Sequence, residues 1–115
     1  MITIYGISNC DSVKKARKWF EAQQIDSSFH DFRKDGITQA MIKRWLSQQD
    51  ESVLLNKRST SWKQLSDNDK AYDSQQTLIK LLLEHPTLIK RPVIENDGQV
   101  IAVGFNEKQI SETLA

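Results

Sequence analysis

The sequence predicts an α/β fold: a mixed four-stranded sheet with a helical stretch between its two halves. Ile2-Thr3-Ile4-Tyr5 alternates apolar and polar residues as a strand does. Val13, Ala16 and Phe20 then recur at helical spacing, and Ser28-Phe29-His30-Asp31-Phe32 alternates again. Strand, helix and strand with short joints make a right-handed βαβ unit, so the first two strands are expected to be parallel. Farther along, Asn96-Asp97-Gly98 separates two β-rich runs, and Asp-Gly in that setting signals an antiparallel hairpin. The predicted order is β-α-β, a helical stretch, then α-β-β-α.

Each element has its own local reason. The first helix is expected over about 11–23, and Gln24-Ile25-Asp26-Ser27 breaks its pattern. Arg33-Lys34-Asp35-Gly36 reads as a turn. Thr38 is placed to cap a helix whose Met41, Ile42, Trp45 and Leu46 share a face; it ends near Gln48-Gln49-Asp50, and Glu51 to Leu55 adds a turn. Leu54 to Trp62 is a basic, hydroxyl-rich loop. Asp67 to Asp73 is polar, either irregular or a short helical turn. Ser74 to Glu84 is a helix with Leu78, Ile79, Leu82 and Leu83 apolar, closed by His85-Pro86 because the residue before proline avoids the helical region. Pro92 cannot donate to a ladder and belongs at the start or edge of the third strand. Gln99 to Val103 is the returning strand. Asn106 caps the last helix, with Gln109 three residues on and Ile110 and Leu114 facing inward.

With 115 residues the chain is expected to be one domain, 1–115, large enough for a single core. The net charge of +1 provides no strong field for nucleic acid or a membrane surface. The longest apolar cluster, Leu78 to Leu83, is interrupted by Lys80 and is too short to span a bilayer. A single cysteine excludes an internal disulfide framework and fits a reducing compartment. Met1 leads directly into the first strand with no signal segment, so a cytoplasmic protein is expected.

That cysteine, Cys10, is the candidate nucleophile. It lies in Gly6-Ile7-Ser8-Asn9-Cys10-Asp11-Ser12, at a strand-to-helix turn where unpaired backbone N–H groups and the helix dipole favour a thiolate. The alternative, a small buried hydrophobe, sits poorly with polar neighbours on both sides, although the carboxylate of Asp11 opposes thiolate formation. His30, a strand histidine beside Asp31, reads as structural rather than catalytic. His85 has no partner at metal-ligand spacing, so no metal site is expected. Lys57 and Arg58 beside Ser59 and Thr60 could bind an anion; composition alone favours a solvated charge pair.

The element order, with a cysteine after the first strand and a proline before the third, resembles the thioredoxin fold. Tyr5-Gly6-Ile7-Ser8-Asn9-Cys10-Asp11, Leu55-Asn56-Lys57-Arg58 and Ile89-Lys90-Arg91-Pro92 resemble three motifs of the arsenate reductase (ArsC) family, most closely its Spx/YffB branch and within that the YffB-like proteins. The resemblance implies a thioredoxin-like fold with a helical insertion at about 33–83. It implies Cys10 as nucleophile, and Asn9, Arg58, Arg91 and Pro92 at the substrate or anion site, with Pro92 matching the family's cis-proline. It turns Arg58 from a solvated charge into an anion ligand. The implied function is a glutathione-dependent thiol reductase acting as a monomer, with glutathione as co-substrate, no tightly bound cofactor, and glutaredoxin as a further candidate partner. Two other readings come with the family: arsenate reduction, and an Spx-like regulator that binds RNA polymerase. Gly104-Phe105-Asn106 lacks the third arginine that arsenate reductases carry after the hairpin. Val13 stands where Spx regulators have the second cysteine of a C-x-x-C switch.

Overall fold

The computed structural model describes residues 1–114. Its elements are strands β1 (Ile2–Gly6), β2 (Ser27–Asp31), β3 (Val93–Asn96) and β4 (Gln99–Val103). The helices are α1 (Asp11–Ala22), α2 (Gln39–Gln48), α3 (Glu51–Leu54), α4 (Thr60–Lys63), α5 (Asp67–Lys70), α6 (Gln75–Glu84) and α7 (Glu107–Leu114), and a 3-10 turn covers Pro86–Leu88. The chain forms two compact units: Met1–Gly36 with the segment from Arg91 onward, and Ile37–Lys90.

The first unit holds the sheet, in the order β2-β1-β3-β4. β1 and β2 are parallel, with Ile4 opposite Phe29 and Gly6 opposite Asp31; β1–β3 and β3–β4 are antiparallel. This is a thioredoxin-like fold with the mixed four-stranded sheet that the alternating patterns and the Asp-Gly hairpin predict. Asp97 and Gly98 both have positive φ, 52° and 85°, as a two-residue type I′ turn requires. A register shift opposite Ile94 and Glu95 leaves Ile101 as the extra residue of β4. Ile2, Ile4, Val13, Ala16, Phe20, Ile94, Ala102 and Ile110 form one buried cluster, with Leu114 packed against it. α1 and α7 therefore bury the faces that their spacing assigns. Glu95 is a buried exception, 3% exposed, and its carboxylate accepts a 2.9 Å hydrogen bond from the Tyr5 hydroxyl. Burying that carboxyl group without such a partner would be costly.

The second unit is helical. Trp45, Ile42 and Met41 of α2, Leu54, and Leu78, Ile79, Leu81 and Leu82 of α6 are buried. Leu81 takes the inward place expected of Leu83, because positions i, i+3 and i+4 from Leu78 share the face toward the core. The expected loop at 54–62 is partly ordered: Leu55 bridges Ile89, Asn56 N–H donates to Leu88 O at 2.7 Å, and Lys90 N–H donates to Leu54 O at 2.8 Å. The polar stretch at 67–73 resolves in favour of a helical turn, α5, capped by Ser66. Among the described residues no helix is long and apolar enough to cross a membrane.

Candidate functional site

The parallel pairing of β1 with β2 decides where the candidate site residues lie. Both strands end at one edge, with Phe32 N–H donating to Gly6 O at 2.8 Å, so the loop to Cys10 and the turn at Arg33 leave the sheet side by side. The crevice beyond the carboxyl ends of parallel strands is where α/β folds place ligands. β3 runs antiparallel to β1 with Val93 opposite Tyr5, so Pro92 and Arg91 reach the same edge from the other side.

Cys10 is the N-cap residue of α1, with φ −104° and ψ 125°. Its carbonyl accepts the first helical bond, from Lys14 N–H at 3.0 Å. Its side chain makes no capping bond. The six other α-helices all begin on a side-chain cap. Thr38 accepts from Met41 N–H, Asp50 from Ser52, Ser59 from Trp62, Ser66 from Asp69 and Ser74 from Thr77; Asn106 accepts from Gln109 N–H at 3.1 Å. The thiol is partly buried against the sheet core, more enclosed than its polar neighbours predict, because Val13 and Ala16 pull the first turn of α1 onto the sheet. Gly6 is needed for that approach: a Cβ there would lie 2.6 Å from Val13 Cγ2.

Asn9 and Pro92 lie at this edge. Asn9 Oδ1 accepts from Arg33 Nη1 at 3.3 Å, while Arg33 N–H donates to Asp31 Oδ1 at 2.9 Å. The Arg91–Pro92 peptide is cis, Pro92 is buried and Arg91 partly so, and Pro92 O accepts from Gly104 N–H at 2.7 Å. Arg58 belongs to the helical unit. Its N–H donates to Asn56 Oδ1 at 3.1 Å, and it lines a cleft with Lys57 and Lys90. The ammonium of Lys57 lies 5.4 Å from the Trp62 ring centroid, a cation–π distance. Cys10, Asn9, Arg91 and Pro92 thus share one edge of the sheet unit, and Arg58 sits in the other unit.

Arg33 is the residue that sequence reasoning missed. It reads as part of a turn, and no local pattern ties it to Asn9, 24 positions away; the signal is the βαβ crossover, which returns the end of β2 beside the end of β1. His30 takes the structural role expected of it. Its Nε2 lies 2.7 Å from Gly36 O; a carbonyl only accepts, so Nε2 carries the proton. Its ring lies 5.1 Å from that of Tyr5.

Comparison with known proteins fits this architecture. A protein of Haemophilus influenzae is 44% identical over 115 residues, covering all of both chains. The global transcriptional regulator Spx of Bacillus subtilis is 29% identical over 116 residues, covering 99% of this chain and 87% of the regulator. Among solved structures, a YffB protein superposes with a TM-score of 0.93 at 34% identity, covering all of both chains. The model of the ArsC family matches residues 5–113, and the chain belongs to that family.

Proposed function

We propose that this protein is a glutathione-dependent thiol reductase with Cys10 as its single nucleophile. The observation that carries the reading is the N-terminus of α1: the only α-helix start among the described residues where a thiol replaces a capping oxygen. Its N–H groups are left to a charge outside the helix, and a thiolate is such a charge.

Cys10 thiolate attacks the glutathionyl sulfur of a mixed disulfide. A Cys10–glutathione disulfide forms, the substrate S–S bond breaks, and the substrate leaves as a thiolate that takes a proton from water. Because the chain has no second cysteine, the resolving thiol comes from outside. Glutathione thiolate attacks the same sulfur, oxidised glutathione leaves, and Cys10 thiolate is restored. Asn9, Arg91 and Pro92 at the sheet edge bind the substrate anion; a guanidinium pairs with a carboxylate in bidentate fashion. Turnover in the cytoplasm, where glutathione is reduced, suits this cycle.

Intact-mass spectrometry after incubation with oxidised glutathione tests it. One glutathionyl adduct is expected on the parent, none on Cys10→Ser, and reduced glutathione removes it. An unmodified parent, or an equal adduct on Cys10→Ser, rejects the reading. Rapid arsenate-dependent oxidation of glutathione by the parent would assign arsenate reduction instead.

A second reading rests on the likeness to the Spx regulator: a protein that binds RNA polymerase. Recovery of the polymerase α subunit with the tagged protein would support it. A two-cysteine switch of the C-x-x-C kind is excluded in either case, because position 13 is a fully buried valine packed on Gly6.

A further inference from the structure

We propose that Arg33 determines substrate specificity at Cys10: with Asn9 it forms a contact of hydrogen-bond donors for the carboxylate of a glutathionyl group, so that Cys10 prefers anionic disulfides to neutral ones. This rests on the thiol-reductase reading and names a residue that reading does not include.

Arginine only donates hydrogen bonds. The 3.3 Å contact from Arg33 Nη1 therefore fixes the amide of Asn9 with its oxygen toward Arg33. The Asn9 Nδ2 group, with two donors, is turned away from Arg33 and meets no acceptor among the described residues. The guanidinium has five N–H donors, and one of them is spent on Asn9.

The carboxylates nearest in sequence are committed to the backbone. Asp31 Oδ1 accepts from Arg33 N–H, and Asp35 Oδ2 accepts from Asp31 N–H at 3.0 Å. Lys34 and Asp35 N–H both donate to Asp31 O, at 3.2 and 2.7 Å, so the turn that carries Arg33 is held by its own hydrogen bonds. Among the described residues no carboxylate pairs with the Arg33 guanidinium, which is exposed. A cation on an ordered turn, with donors to spare and no counter-ion among the described residues, is suited to a carboxylate from solution.

Reach is consistent with this. Asn9 adjoins Cys10 in the chain. Glutathione is bonded to Cys10 through its central residue, so a terminal carboxylate reaches one to two residues away, up to roughly 7 Å when extended, on the scale of the step from Cys10 to the neighbouring Asn9–Arg33 contact. A neutral disulfide gains nothing from the contact, so the effect appears in the ratio of rates for charged and uncharged disulfides.

The test compares oxidised glutathione with the neutral hydroxyethyl disulfide, following Cys10 modification by intact mass in the parent, Arg33→Gln, Arg33→Lys and Asn9→Ala. Arg33→Gln is expected to slow the reaction with oxidised glutathione about tenfold, and to lower the ratio of glutathione to hydroxyethyl rates by at least several-fold. Arg33→Lys should recover part of that ratio by charge alone. Added salt should lower the ratio in the parent more than in Arg33→Gln. Equal slowing with both disulfides would mean that Arg33 only supports the loop, and an unchanged ratio would mean that it does not meet the substrate; either overturns the inference while the thiol-reductase reading stands. A parent that forms no adduct with either disulfide overturns both.

Discussion

The helices of the Ile37–Lys90 unit and α1 of the sheet unit begin in opposite ways. α2 through α6 each start on a serine, threonine or aspartate whose oxygen accepts from the second or third N–H, and α6 has a full capping box with Thr77 Oγ1 accepting from Ser74 N–H. α1 starts on Cys10 and has no such bond. For the shortest helices, length gives a reason for the cap. α3, α4 and α5 are four residues each, too short to persist on their own, so a cap contributes a large share of what holds them. α1 has 12 residues and buries Val13, Ala16 and Phe20 completely. Its apolar face secures it, which leaves its first turn available for chemistry.

The strongest way to break this comparison is to lift α1 off the sheet. Gly6→Ala places a Cβ against Val13 Cγ2, and overpacking of that kind costs about 1–3 kcal/mol. The urea midpoint of the variant should fall accordingly, and adding Val13→Ala should cost less than the two single changes predict together. Strict additivity would show that the two residues do not meet in solution.

The caps themselves come next in size. Thr38→Ala and Ser74→Ala should each cost about 1 kcal/mol. Cys10→Ala should cost clearly less, and Cys10→Ser should raise stability, since serine is a preferred cap and cysteine is not. Chemical denaturation of the four variants decides: a Cys10→Ala loss equal to that of Thr38→Ala would mean that the thiol caps α1 after all.

The smallest expected effect is a pH dependence at the α3 cap. The Ser52 hydroxyl and N–H both donate to Asp50 Oδ2, and these bonds hold its carboxyl below the usual 3.8. A carboxyl lowered by folding stabilises the folded state at pH values above its unfolded pKa, and that contribution disappears as pH falls through the lowered one. The melting temperature of the parent should therefore exceed that of Asp50→Asn at neutral pH and converge on it in acid. A gap that persists at pH 2 would point to a cause other than ionisation.

Much of this molecule was determined locally. Alternation in Ile2-Thr3-Ile4-Tyr5, the spacing of Val13, Ala16 and Phe20, the caps Thr38 and Asn106 and the Asp97-Gly98 turn each depend on residues within a few positions of one another, and each element lies within one or two residues of its expected place. The position of Cys10 at a helix start was legible for the same reason. Tertiary structure alone decided the rest. The strand order β2-β1-β3-β4, the burial of Glu95 beneath the Tyr5 hydroxyl 90 residues away and the partial enclosure of Cys10 depend on which surfaces meet. The contact of Asn9 with Arg33 exists because a right-handed crossover returns the chain to the edge it left. Local spacing encodes which face of an element is apolar. It does not encode which partner covers that face, and the residues gathered at the sheet edge follow from the partner.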